Sequence, residues 1–142
     1  MSKNTEVLEQ ILGTTITEYT PNAIKFSNLS DYVLEQLLNK GYTREDKYFN
    51  VSPTIGKFIE FGKRCVEMRA VATFDGVGFK NQSSDVVIDA IKVVGVKDLD
   101  FALVFIKFVQ GCDEIEVSSE YLFAWWVINS ISCKNKIFSY LL

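Results

Sequence analysis

No histidine occurs among the 142 residues. The chain therefore lacks the commonest general base, the commonest zinc ligand and every Ser–His or Cys–His nucleophile pair. Prolines number only two, Pro21 and Pro53, and both stand where a turn or a helix start is expected. The three cysteines, Cys65, Cys112 and Cys133, form no close pair. An odd, scattered count excludes a disulfide framework, and no C-x-x-C exists for zinc or redox work. Each cysteine lies among apolar neighbours, as a small core residue does. Together they point to a reducing, cytoplasmic compartment. The longest apolar run, Tyr121 to Ile128, has eight residues, whereas a membrane helix needs ~20. Met1 to Glu6 contains no apolar stretch of the kind a secretory leader carries.

What is present is the balance of a soluble globular protein, with 48% apolar and 23% charged residues. No repeat, low-complexity tract or linker divides it, so residues 1–142 read as one domain. The net charge of -3 argues against a general affinity for nucleic acid. The charge is uneven. Residues 1–80 carry ten basic and ten acidic side chains, whereas residues 81–120 carry eight acids against Lys92, Lys97 and Lys107. That segment can steer a basic partner, although acids at loops and helix ends also arise for solvation alone.

Val7, Leu8, Ile11 and Leu12 are helically spaced before Gly13, which predicts a helix over about 4–12. Thr14–Tyr19 and Ala23–Phe26 suit a small hairpin or an extended arm around Pro21-Asn22. Ser30 suits an N-cap for a helix carrying Val33, Leu34, Leu37 and Leu38, with Leu29 and Leu34 at staple positions and Gly41 as the left-handed stop. Ser52-Pro53 predicts the cap and first residue of a further helix with Ile55, Phe58, Ile59 and Gly62 on one face. Alternation from Val66 to Phe74 predicts a strand, ended by a tight turn at Asp75-Gly76. Asn81–Ser84 reads as a loop, and Asp85–Val96 as the longest strand. Asp98 caps a helix through Phe101, Val104, Phe105 and Phe108 up to Gly111, although a buried strand would suit the same residues. Ile115–Ser118 reads as a strand. Ser119 and Glu120 would start a last helix with Tyr121, Leu122, Trp125, Trp126 and Ile128, and Cys133–Leu142 would cover the core or form an edge. The class is α+β, a largely antiparallel twisted sheet covered by about four helices.

Few residues offer chemistry. Arg64 beside Cys65 is the one hint of an activated thiol, and without a histidine the core role is the better account. Asp89 and Lys92 are three apart, so a regular strand turns them to opposite faces and breaks an Asp…Asp-x-Lys nuclease arrangement. Asp98-Leu99-Asp100 is a bare Asp-x-Asp, and a helix start explains both acids. Asp113, Glu114 and Glu116 lack the glycine of a calcium loop. Gly76-Val77-Gly78 lacks the third glycine and following helix of a phosphate cradle. Tyr42, Arg44, Lys47, Tyr48 and Phe49 set aromatics among bases, with Glu45 and Asp46 cancelling the charge.

Trp125-Trp126 is the closest contest between core and contact surface. Neighbours on a helix sit about 100° apart, so one can face out, and tryptophan is enriched at binding hot spots. The leading expectation is a non-enzymatic inhibitor or immunity-type protein. It would need no cofactor or metal, and would meet a basic toxin or effector through Asp113, Glu114, Glu116, Glu120, Tyr121, Trp125 and Trp126. The alternative is a homo-oligomer holding an anionic small molecule with Arg44, Lys57, Lys63, Arg64 and Arg69. A metal- or carboxylate-dependent enzyme comes third.

Overall fold

The computed structural model describes residues 5–80 and 86–126. These form a six-stranded antiparallel sheet and four helices, in the order α1 (Thr5–Leu12), β1 (Ile16–Tyr19), β2 (Ala23–Ser30), α2 (Asp31–Asn39), α3 (Ile55–Glu67), β3 (Val71–Phe79), β4 (Val86–Val94), α4 (Leu99–Phe108), β5 (Glu114–Val117) and β6 (Tyr121–Trp125). The α+β class holds. The sheet order is β1-β2-β3-β4-β6-β5, with every neighbouring pair antiparallel. No described helix is long and apolar enough to cross a membrane. The expected loop over 81–84, the residues Asp85 and Ile128, and the tail from Cys133 lie outside the described residues.

The helices begin and end where local chemistry favours it. Ser30 Oγ accepts a hydrogen bond from the Val33 N–H at 3.2 Å and caps α2. Gly41, at φ +82°, ends it. There Tyr42 N–H donates to Leu37 O and Gly41 N–H to Leu38 O, the paired bonds of a Schellman stop. Asp98 caps α4 by accepting from Phe101 N–H at 2.7 Å. The cap of α3 is Thr54, whose Oγ1 accepts from Lys57 N–H, and not Ser52. Ser52 Oγ instead accepts from Phe49 N–H inside the preceding loop. The helix also runs past Val66 to Glu67, so the strand expected from Val66 starts only at Val71. Its stop is a second Schellman turn with Arg69, not glycine, at φ +62°.

One sheet face carries the core. Phe26, Phe74, Ile88, Ile91, Val93, Leu122 and Ala124 pack there with the buried sides of α1, α2, α3 and α4. Phe58 of α3 sits at its centre, edge-on to Phe74 and Trp126 at 5.5 and 5.8 Å between ring centroids. Phe61 of α3 stacks on Phe108 of α4 at 4.2 Å.

Two expectations fail here for physical reasons. Asp75-Gly76 is no turn and lies inside β3. Gly76 serves close packing, since a Cβ there would collide with the Val87 carbonyl oxygen and lie 2.8 Å from the Phe26 ring. The last expected helix is strand β6. Its run is apolar at every position, which hides a period of two. Leu122 and Ala124 point to the core, while Tyr121, Phe123 and Trp125 point away. Ser118 makes the preceding turn, its Oγ accepting from both Glu120 N–H and Tyr121 N–H.

Candidate functional site

The second sheet face is bare of the described helices. Register sets its composition. Ala90 lies opposite Trp125, Lys92 opposite Phe123 and Val94 opposite Tyr121. Across β6, Glu114 faces Trp125 and Glu116 faces Phe123. Directly opposed residues project to the same side, so three aromatics stand in a row between a lysine and two glutamates. Phe123 and Trp125 meet edge to face at 5.6 Å. Lys92 Nζ lies 4.9 Å from the centre of the Tyr121 ring. Tyr121 donates its phenol proton to Glu116 Oε2 at 2.7 Å, and that bond pushes the phenol's pKa above its ordinary value. Trp125 Nε1 is buried without a hydrogen-bond partner among the described residues.

Two bulges bend the sheet beside this row. In β2, Ser27 and Asn28 together oppose Asp75, because the register steps from Phe26↔Gly76 to Leu29↔Phe74. In β4, Asp89 is the extra residue between Asp75↔Ala90 and Gly76↔Ile88. Asp75 is thus flanked by a bulge on each side, and bulges re-aim side chains. Asp75 Oδ1 accepts from Asn28 N–H at 3.0 Å, with Asn28 in the left-handed region at φ +61°. A groove of about 400 Å³ runs along this face between Lys25, Asp75, Asp89, Phe123 and Trp125. A second, of about 320 Å³, continues it past Asp75 to Lys92, Glu116 and Tyr121.

The β4 bulge overturns the expectation that Asp89 and Lys92 oppose each other. Both line these grooves with Asp75. Burial, with the Asp75 charge second, raises the Asp89 pKa to about 6. Burial also raises Asp75, against the lowering effects of the Asn28 N–H and Lys92. Asp89 can thus take or release a proton near pH 6.

The sequence-derived residues separate. Glu116 and Glu120 are exposed and Glu114 is half-buried, all around the aromatic row. Asp113 is only 1% exposed, and its N–H donates to the Trp125 carbonyl oxygen. It cannot steer a partner. Trp126 is likewise 1% exposed and belongs to the core. The chain turns Trp125 and Trp126 to opposite faces, so Trp126 joins the core while Trp125 lies half-buried on the second face. Phe123, Lys92, Asp75 and Asp89 complete the face without having stood out as binding residues. Period-two alternation in Tyr121–Trp125 is the one sequence feature that points to Phe123.

Of the basic set, Lys57, Lys63 and Arg64 line a groove of about 570 Å³ on α3, together with Glu60, Phe61 and Phe108. Arg44 pairs with Asp46 at 3.4 Å in the loop before α3, and Arg69 ends that helix. The five do not converge. In the aromatic and basic loop Tyr42 is buried and Phe49 packs on the core, which leaves Tyr48 as its exposed aromatic. Burial pushes the Cys65 thiol up to about 12, outweighing Arg64, and Cys112 up to about 11. Among the described residues no three His, Cys, Asp or Glu side chains gather as a metal site. Neither a protein-family model, nor a curated protein, nor a solved structure matches the chain.

Proposed function

We propose that the protein is a non-enzymatic binding protein that occludes a protein partner, in the manner of an inhibitor or immunity protein, with the aromatic face of its sheet. One observation carries this reading. Tyr121, Phe123 and Trp125 stand in a row on a face that no described helix covers. Rigid aromatics on a strand supply contact area at low entropic cost. The row is ringed by Glu114, Glu116 and Glu120, and the nearest lysine is held against the Tyr121 ring. That charge suits a partner presenting lysine or arginine.

The groove on α3 gives the anionic-ligand reading less support, because Glu60 and Glu67 offset its three bases. A carboxylate-dependent enzyme draws on Asp75, Asp89 and Lys92 sharing one face, but Asp75 is already engaged in holding the β2 bulge.

The test is affinity capture in parallel with wild type and the double variant Phe123→Ala/Trp125→Ala. A partner retained by wild type should be lost from the variant. With that partner in hand, Trp125→Ala should raise the off-rate, at about 2 kcal/mol for a hot spot. Glu114→Gln/Glu116→Gln/Glu120→Gln should chiefly slow association and flatten its salt dependence. A partner held equally by all variants would remove this face from the function.

A further inference from the structure

Helix α4 is apolar on nearly every side. Eight of its ten residues, Leu99 to Phe108, are Leu, Ile, Val, Ala or Phe, and only Asp100 and Lys107 are charged. Phe101 and Phe105 fill the core. The opposite side carries Leu99, Leu103 and Ile106, which are 73%, 55% and 40% exposed. Their spacing of four then three residues draws one straight stripe along the helix. An apolar helix face of this kind has to be covered by something.

The geometry points to a second copy of this chain, seated on α4 about a two-fold axis with the two helices antiparallel. The apolar stripe alone fits either sense, and the charges beside it choose the antiparallel one. With the axis near Leu103, each Leu99 lies beside the second copy's Ile106, and the two Leu103 side chains meet at the centre. Asp100 and Lys107 flank the stripe on the same edge, seven residues or about 10.5 Å apart. They are too far apart to pair within one helix. In the antiparallel arrangement each Asp100 comes beside the second copy's Lys107, so two opposite-charge pairs close that edge. A parallel arrangement would put the two charged edges on opposite sides of the seam, where Asp100 and Lys107 of the two copies form no pair. A groove of about 280 Å³ at the start of α4, lined by Leu99, Ala102, Val117 and Leu122, receives the second copy's Ile106.

The area is modest. A stable interface buries about 800 Å² on each partner, and one ten-residue helix with its adjoining groove supplies on the order of half of that. An interface of that size is a weak, transient one, and the dimer dissociates on dilution. It leaves the aromatic sheet face free on both copies, so its failure would not touch the binding reading above.

Sedimentation velocity on the full chain, from low micromolar to near-millimolar concentration, reads the equilibrium. Wild type should pass from monomer to dimer. Leu103→Glu, at a solvent-facing position of the monomer, should weaken association by at least about tenfold. Asp100→Lys and Lys107→Asp should each weaken it, and the two changes in one chain should restore it, because the pairs re-form with their signs exchanged. Circular dichroism confirms that each variant keeps its fold. A monomer at every concentration, a dimer indifferent to Leu103→Glu, or a double exchange no stronger than the single ones would each overturn the proposal.

Discussion

Asp89 owes its surroundings to the single extra residue that β4 inserts between Ile88 and Ala90. The bulge turns its carboxyl towards Asp75 and away from full solvation, and the pKa rises to about 6 against an ordinary 3.8. Between those two values the folded chain binds more protons at this site than the unfolded chain does. Stability therefore falls as the pH rises through that window, and the full cost is present above pH 6. Asp89→Asn should raise stability at pH 7.5 by about 1–2 kcal/mol after allowance for partial solvation, and should do little at pH 4. Denaturant midpoints of the two proteins at both pH values check this. An equal shift at both would mean that packing, not ionisation, is at issue. No reading of the sequence reaches this site, because an inserted residue cannot be seen in a run such as Val86 to Val94, apolar on both sides of Asp89. Strict alternation puts Asp89 and Lys92 back to back, and one bulge brings them together.

At the scale of elements, whatever rests on a side chain beside its own backbone was legible. Ser30 and Asp98 cap as expected, and Gly41 stops α2. Asp98 and Gly111 bracket Leu99–Phe108 and mark it as a helix despite its strand-like composition. Where two caps compete, sequence does not choose. Ser52-Pro53 and Thr54 both fit the start of α3, and the loop's need for Ser52 at Phe49 N–H decides the outcome. Thr54→Ala should cost about 1 kcal/mol in urea unfolding, and Thr54→Ser almost nothing. An unchanged midpoint for Thr54→Ala would mean that the Lys57 N–H finds another acceptor. The end of α3 was illegible because Arg69 occupies a left-handed position that glycine usually marks. For β6, tertiary pairing with β4 and β5 overrides a local pattern that suits a helix equally well. On that strand Tyr121 and Trp125 lie half-buried on the second sheet face, while Trp126 and Asp113 lie inside.

Across the whole molecule, β4 and β5 are joined through α4 without touching, because β6 lies between them. β5 has no described neighbour in the sheet other than β6. It also carries Glu114 and Glu116, which would face like charges if two such edges met, a guard against edge-to-edge pairing. The order of the strands has a consequence for synthesis. Made from the N-terminus, the chain completes β1 to β4 in spatial order, each strand beside the one before. β4 then waits for 31 further residues, from 95 to 125, before its second neighbour exists. At roughly 5–20 residues per second that is a delay of a few seconds, during which Ala90 to Val94 form an open edge. Ribosome-bound chains that expose residues up to 117 but not 121 should accordingly be cleaved readily by protease near β4. Chains long enough to expose Trp126 should resist, and equal resistance at both lengths would mean that the first four strands fold without waiting. The nascent protein thus passes through an interval in which chaperones, or the open edge of another unfinished chain, can reach a strand that in the finished molecule is interior.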